Sequence, residues 1–152
     1  MLHDIITNKA LVAPICAWAL AQLSKTFVAF LQGKGLRLRY LLGSGGMPSS
    51  HSAFVTALAT SVAMIQGVGS VTFAISAILA LVVMYDAAGV RQSVSRQSTI
   101  LNRIVKELRL GRPVAELESD LRELVGHTPF QVVAGAALGV AVTLIWITIA
   151  TV

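Results

Sequence analysis

The sequence predicts an all-α integral membrane bundle of about four transmembrane spans with cytoplasmic amphipathic helices, built as a single domain over residues 1–152. Three observations predict it. The 152 residues are 55% apolar and have a mean hydropathy of +0.77, far from the soluble average. The apolar residues gather in long runs, the signature of membrane spans rather than of a globular core. Twelve Lys and Arg stand against seven Asp and Glu, and most of the cations lie between the runs, where they meet anionic headgroups. A net charge of +5 suits nucleic acid equally well, but the hydropathy decides for lipid and against nucleic acid. Cys16 is the single cysteine, so an intramolecular disulfide and a Cys-based zinc cluster are excluded. The N-terminus has neither a basic leader nor a convincing cleavage pattern, and the first helix reads as retained.

Residues 1–9 form a short polar lead-in. Ala10 to Leu31 is the first span, about 33 Å long at ~1.5 Å per residue, with Pro14 near its start. Gln22, Ser24 and Lys25 interrupt it. Lys25 either snorkels to a nearby interface or turns inward to bind an anion. Lys34, Arg37 and Arg39 mark the connector that follows. His51 to Gln66, rich in Ala, Ser and Val, is the second helix, and at about 24 Å it is short for a span. Gln66 to Ser70 is a tight turn. Val71 to Ala88 is the third span, uncharged until Tyr85-Asp86. A carboxylate at that depth is costly unless paired or wet, so Asp86 either orients a site group or pairs with Lys25 or Arg91. Residues 92–125 form a polar interfacial insert. Its apolar positions from Ile100 to Leu108 recur at helical spacing, Gly111-Arg112-Pro113 breaks the pattern, and Val114 to Val125 is a second amphipathic stretch. Phe130 to Val152 is the last span. Its Gly135 and Gly139 suit close helix packing, either within the monomer or in a homo-oligomer.

The stretch Leu42 to Ser52, LGSGGMPSSHS, carries the chemistry. Gly43, Ser44, Gly45 and Gly46 can bring backbone amides together, Pro48 suits a helix start, and Ser49 or Ser50 can cap the first turn. A bound anion would then face the positive end of a helix, with His51 positioned to protonate a leaving oxygen. A Gly/Ser-rich turn with a structural histidine fits the same spacing. Gly126-His127-Thr128-Pro129 repeats the pattern at the last helix. Seven of the twelve basic residues lie between Arg91 and Arg122, and two spans separate them from Lys34, Arg37 and Arg39. The positive-inside rule therefore puts both groups, the His51 loop, the Asp86-Arg91 exit and the His127 entrance on the cytoplasmic side of the inner membrane. Only His51, His127 and Asp86 qualify as metal ligands there, and no metal is expected.

The segments GGMPSSHSA, MYDAAGVR followed by Leu101-Asn102, and GHTP together resemble the divergent membrane branch of the type 2 phosphatidic acid phosphatase superfamily, related to acid phosphatases and vanadium-dependent haloperoxidases. The resemblance runs from about Ala21 to Gly139. It implies a helical, metal-independent phosphatase needing no cofactor. Lys25 looks like the lysine of the family's first block, without its usual Arg-Pro partner. Pro48-Ser49-Ser50-His51 resembles the family's Pro-Ser-Gly-His, with Ser50 in place of glycine, which implies phosphate binding by Ser49 and the adjacent amides and acid catalysis by His51. His127 matches the nucleophilic histidine, but Leu121 stands where an Arg is expected and Gln131 where an Asp is expected. On this resemblance Arg91 supplies the missing cation, and Asp86 has to take the place of the acid absent at position 131.

The function expected is hydrolysis of a membrane lipid phosphomonoester: phosphatidylglycerophosphate, phosphatidate or a prenyl phosphate. His51, His127 and Asp86 are the expected catalytic residues, and Lys25, Gly45, Gly46, Ser49, Ser50 and Arg91 the substrate-binding ones. The alternative is a non-enzymatic membrane protein that binds anionic headgroups through the same pocket.

Overall fold

A computed structural model describes residues 2–31, 46–89, 97–101 and 127–149, which contain helices, caps and turns and no strand. The labelled helices are α1 (Leu2–Thr7), α2 (Lys9–Leu31), α3 (Ser50–Gln66), α4 (Val71–Ala88) and α5 (Pro129–Ile149). Residues 97–101 are also helical. Of the two amphipathic stretches expected between 100 and 125, all but 100–101 lies outside the described residues.

Local chemistry sets the helix ends. The Asn8 side chain accepts from the Ala10 amide at 3.0 Å and opens α2, as asparagine does at an N-cap. Ser49 caps α3 by accepting from the Ser52 amide at 3.3 Å, and Ser70 caps α4 by accepting from the Phe73 amide at 3.1 Å. Gly67 closes α3 at φ +82°, a backbone state that side chains disfavour. Because α2 begins at Lys9, Pro14 falls past its opening turn, where it is fully buried.

Helix α3 is the axis of the bundle and packs against α2, α4 and α5. It runs antiparallel to α2 with small residues at the seam: Ala17 and Ala21 meet Ala53 and Ala57, all with zero exposure. It runs parallel to α5 in a register that advances one turn at a time. A Cβ on Gly135 would collide with the Ser49 carbonyl, and one on Gly139 with the Ala53 carbonyl and the Thr56 hydroxyl. One turn further, Thr143 Oγ1 donates to the Ala57 carbonyl at 3.3 Å. In the other direction, Thr56 Oγ1, 2.7 Å from the Ser52 carbonyl of its own helix, comes within 3.2 Å of the Ala136 carbonyl. The small-residue face of the last helix thus packs inside the monomer, bringing two backbones close together as such faces do in membranes.

The outer surface is apolar. In α4 only Ser76, Ala80 and Ala87 are buried, while Val71, Ile75, Ile78, Leu81, Val82 and Tyr85 are exposed. Three described helices, α2, α4 and α5, are long and apolar enough to cross a membrane, with lengths of about 35, 27 and 32 Å at ~1.5 Å per residue. Helix α3, with 17 residues, measures about 25 Å on the same rise. The protein is a multi-pass, all-α membrane bundle.

Candidate active site

The antiparallel and parallel packing brings the C-terminal ends of α2 and α4 and the N-terminal ends of α3 and α5 to one end of the bundle. Three bonds tie them. Lys25 Nζ donates to Ser50 Oγ at 2.9 Å, the Ser49 amide donates to the Gln131 carbonyl at 3.0 Å, and the His127 amide donates to the Ala87 carbonyl at 3.2 Å. Two helix N-termini and one ammonium thus converge, and each favours an anion.

Lys25 does not snorkel. It is 5% exposed, and its stem passes Gly46, whose φ of +92° puts the backbone where a side chain would be strained. Burying an ammonium is costly unless an anion or strong acceptors meet it. Ser50, the residue in the family's glycine position, is the acceptor described here, and it engages only one of the three protons an ammonium can donate. Ser49 is fully buried, and its hydroxyl accepts from the Ser52 amide and from Ser52 Oγ at 3.0 Å. It is therefore committed to the cap, and Ser50 is the residue in contact with the cation.

His127 is 1% exposed, and its Nε2 is among the buried atoms. Its Nδ1 lies 3.2 Å from Gln131 Oε1. The same oxygen accepts from the Thr128 amide at 3.1 Å, and the Gln131 amide in turn lies 3.4 Å from Thr128 Oγ1. Thr128 and Gln131 form a reciprocal capping box at the start of α5. A glutamine oxygen can meet Nδ1 only as an acceptor, so Nδ1 carries a proton, and in the neutral ring the lone pair is then on Nε2. The sequence expectation gave this orienting place to Asp86 because position 131 lacks a carboxylate. In the structure Gln131 stands at Nδ1, and its Oε1 brings no charge. The Thr-x-x-Gln signature was present in the sequence and could have revealed this.

The remaining expected residues divide. His51, in the first turn of α3, is exposed, and Asp86 is half-buried in the last turn of α4, next to the Ala87 carbonyl that holds the His127 amide. Gly46 borders Lys25, while Gly45 and Arg91 lie outside the described residues. Among the described residues, no three His, Cys, Asp or Glu side chains gather as a metal-holding group. One polar group went unremarked as a site feature. Gln22, one turn before Lys25, is 7% exposed, and its buried Oε1 has no hydrogen-bond partner among the described residues.

Comparisons with known proteins give the family. Residues 6–142 match the model of the divergent PAP2 family. The chain is 39% identical over 151 residues to a Bacillus subtilis (strain 168) protein described as "Uncharacterized membrane protein YuiD", a match covering 93% of this chain and 96% of that protein. No solved structure matches. The family match spans the converging ends of α2, α3, α4 and α5 together with both histidines, and the chain therefore belongs to the divergent PAP2 family.

Proposed function

We propose that the protein hydrolyses a membrane lipid phosphomonoester without a metal, through a covalent phosphohistidine on His127. Family membership suggests phosphatase-like, metal-independent chemistry. The observation that carries the finer reading is the buried Lys25 ammonium on Ser50 at the mouth of two converging helix N-termini, at the same end of the bundle as a histidine whose Nδ1 meets Gln131. Lys25, Arg91 and the Gly46, Met47 and Ser50 amides hold the phosphoryl oxygens. His127 Nε2 attacks phosphorus as the P–O ester bond breaks, and His51 gives its proton to the departing alcohol. Water then attacks phosphorus and passes a proton to His51. The P–N bond breaks, its electron pair returns to the imidazole, and phosphate leaves. Asp86, at the same end of the bundle, steadies the imidazolium that forms transiently. In this reading α3 crosses the membrane as a fourth span, and the site faces the cytoplasm, where the basic connectors lie.

The test is acid-labile label transfer from phosphorus-labelled phosphatidate, phosphatidylglycerophosphate and prenyl phosphate in the presence of a chelator. The wild type should form phosphoenzyme and release phosphate, and His127→Ala should do neither. His51→Ala should lose turnover of lipid esters far more than of an activated aryl phosphate, whose leaving oxygen needs no proton. Retained turnover in His127→Ala would rule out this nucleophile. A second reading, a headgroup-binding protein without turnover, has one observation in its favour: the group at Nδ1 is an amide and not a carboxylate. Phosphate binding with no turnover on any of these lipids would select it.

A further inference from the structure

Lys25 Nζ and Ser50 Oγ stand 2.9 Å apart, and both side chains are withdrawn from solvent, Lys25 at 5% and Ser50 at 1% exposure. The phosphate chemistry proposed above uses the lysine and the Ser50 amide but gives the Ser50 hydroxyl no part. Among the described residues, that hydroxyl has one partner, the Lys25 nitrogen, and Lys25 has one partner, the hydroxyl. No carboxylate among them pairs with the lysine. Ser49 is the reverse case, since its hydroxyl accepts two bonds from Ser52 and is held in the α3 cap.

We infer that Ser50 and Lys25 form a serine–lysine pair, with Ser50 Oγ as nucleophile and the Lys25 amine as its base, and that this pair cleaves a carboxylic ester of a lipid. Its first support is contact: a nucleophile and its base within hydrogen-bond reach are what covalent catalysis requires. A lysine withdrawn from water and paired with no acid can serve as that base. Its second is position. Ser50 opens α3, so its own amide belongs to the first-turn amides that a helix leaves unpaired, and the positive end of the helix favours the oxyanion that forms on an attacked carbonyl. Its third is depth. Gly46, which borders the Lys25 stem, and His51, which follows Ser50, are both exposed, so the pair lies directly beneath the surface.

Charge selects the substrate. A phosphate dianion beside Lys25 holds the ammonium charged and removes the base, whereas an uncharged ester leaves it free to act. The reaction starts from the amine, formed when the ammonium gives a proton to solvent. Ser50 Oγ attacks the carbonyl carbon and its proton passes to Nζ. The ester C–O bond then breaks, and Nζ returns the proton to the departing alcohol. Water attacks the acyl carbon and gives a proton to Nζ, the C–Oγ bond breaks, Oγ recovers the proton, and the carboxylic acid leaves. The pair shares Lys25 with the phosphate reading but uses it in the other protonation state, and it does not use His127.

The test is covalent labelling of the full chain in detergent micelles with an uncharged alkyl fluorophosphonate, the adduct being located by peptide mass. The wild type should carry it on Ser50, through an Oγ–P bond formed as fluoride leaves. Ser50→Ala and Lys25→Arg should slow labelling at least tenfold. Arginine keeps the cation but cannot be deprotonated, so Lys25→Arg should still be stabilised by vanadate while losing the label. If the guanidinium does not fit, Lys25→Met removes the base and should give the same loss of label. With p-nitrophenyl octanoate the wild type should release p-nitrophenol, the same variants should lose at least tenfold, and vanadate should suppress the wild-type rate. No adduct on Ser50, an adduct on His127 in its place, or undiminished labelling of the lysine variants overturns the pair. Ester turnover that survives in Ser50→Ala, or no ester turnover by a wild type that labels on Ser50, overturns the ester activity. If no phosphate ester is hydrolysed, Ser50 labelling still decides the pair, so the two ideas fail separately.

Discussion

At the scale of single residues, the site turns on an amide where a carboxylate is expected. Gln131 meets His127 Nδ1 while capping α5, so in the proposed attack it supplies orientation but no charge to the imidazolium. A neutral hydrogen bond contributes about 1 kcal/mol, and one to a charged partner roughly twice as much. Gln131→Leu should therefore lower kcat about tenfold or more. Gln131→Glu, which keeps both acceptor contacts, should match or exceed the wild type, and a Glu variant as slow as the Leu variant would show that Gln131 does not position the ring. Lys25 makes a different prediction because its charge is buried against a neutral hydroxyl. Lys25→Met removes the desolvated ammonium and should melt at or above the wild-type temperature. Vanadate should raise the wild-type melting temperature, by about 2.7 kcal/mol of stabilisation at a hundredfold excess over Kd, and leave Lys25→Met unmoved. Gln22 belongs to the same face, and its buried Oε1 has no partner. An orphan acceptor costs about 1–3 kcal/mol, so Gln22→Met should raise thermal stability. A fall would mean that the amide is satisfied in the membrane.

At the scale of helices, the parallel α3–α5 pair is the rigid part, because two glycines let its backbones touch. Gly139→Ala places a methyl against the Ala53 carbonyl and the Thr56 hydroxyl, and overpacking of this kind costs about 1–3 kcal/mol. Gly69→Ala, where a Cβ meets nothing within 4 Å, is the control and should leave the melting temperature in detergent unchanged. Equal effects would mean that the α3–α5 seam gives way easily. Much of this level was legible in the sequence. The Val71–Ala88 helix follows from an uncharged run opened by the Ser70 cap and closed beside Gly89, and α3 from its serine cap and its chain of small residues. What the sequence could not give is direction. Whether Lys25 snorkels or turns inward depends on Ser50, twenty-five residues away, and whether Gly139 meets another copy or Ala53 depends on the register of a parallel pair. Periodicity does not encode contacts of that range. The Gln131 contact is different, because Thr128-x-x-Gln131 is a capping box that local spacing alone spells out.

For the whole molecule, the open question is what the bilayer does with α3, and it can be answered from the two ends of one helix. Helix α3 has 17 residues and measures about 25 Å, shorter than the roughly 30 Å hydrocarbon layer. It is nonetheless the best-packed helix of the bundle, lying antiparallel to α2 and parallel to α5. Away from its ends, Ser52, Thr56 and Ser61 are buried against protein: the Thr56 hydroxyl lies within bonding distance of the Ala136 carbonyl, and the Ala57 carbonyl accepts from Thr143. A helix wrapped in this way need not match the bilayer itself, because mismatch costs only fractions of a kcal/mol per ångström and the surrounding spans can carry it by tilt or local thinning. Met47, just before α3, and Val68, just after it, are both exposed. In a Cys16→Ser background, Met47→Cys and Val68→Cys should label with a membrane-impermeant maleimide from opposite sides of oriented vesicles, Met47→Cys from the cytoplasmic side, since Lys34, Arg37 and Arg39 lie just ahead of it. Labelling of both from one side would make α3 a re-entrant helix, and the chain would then cross the membrane three times around a site that two helix N-termini still share.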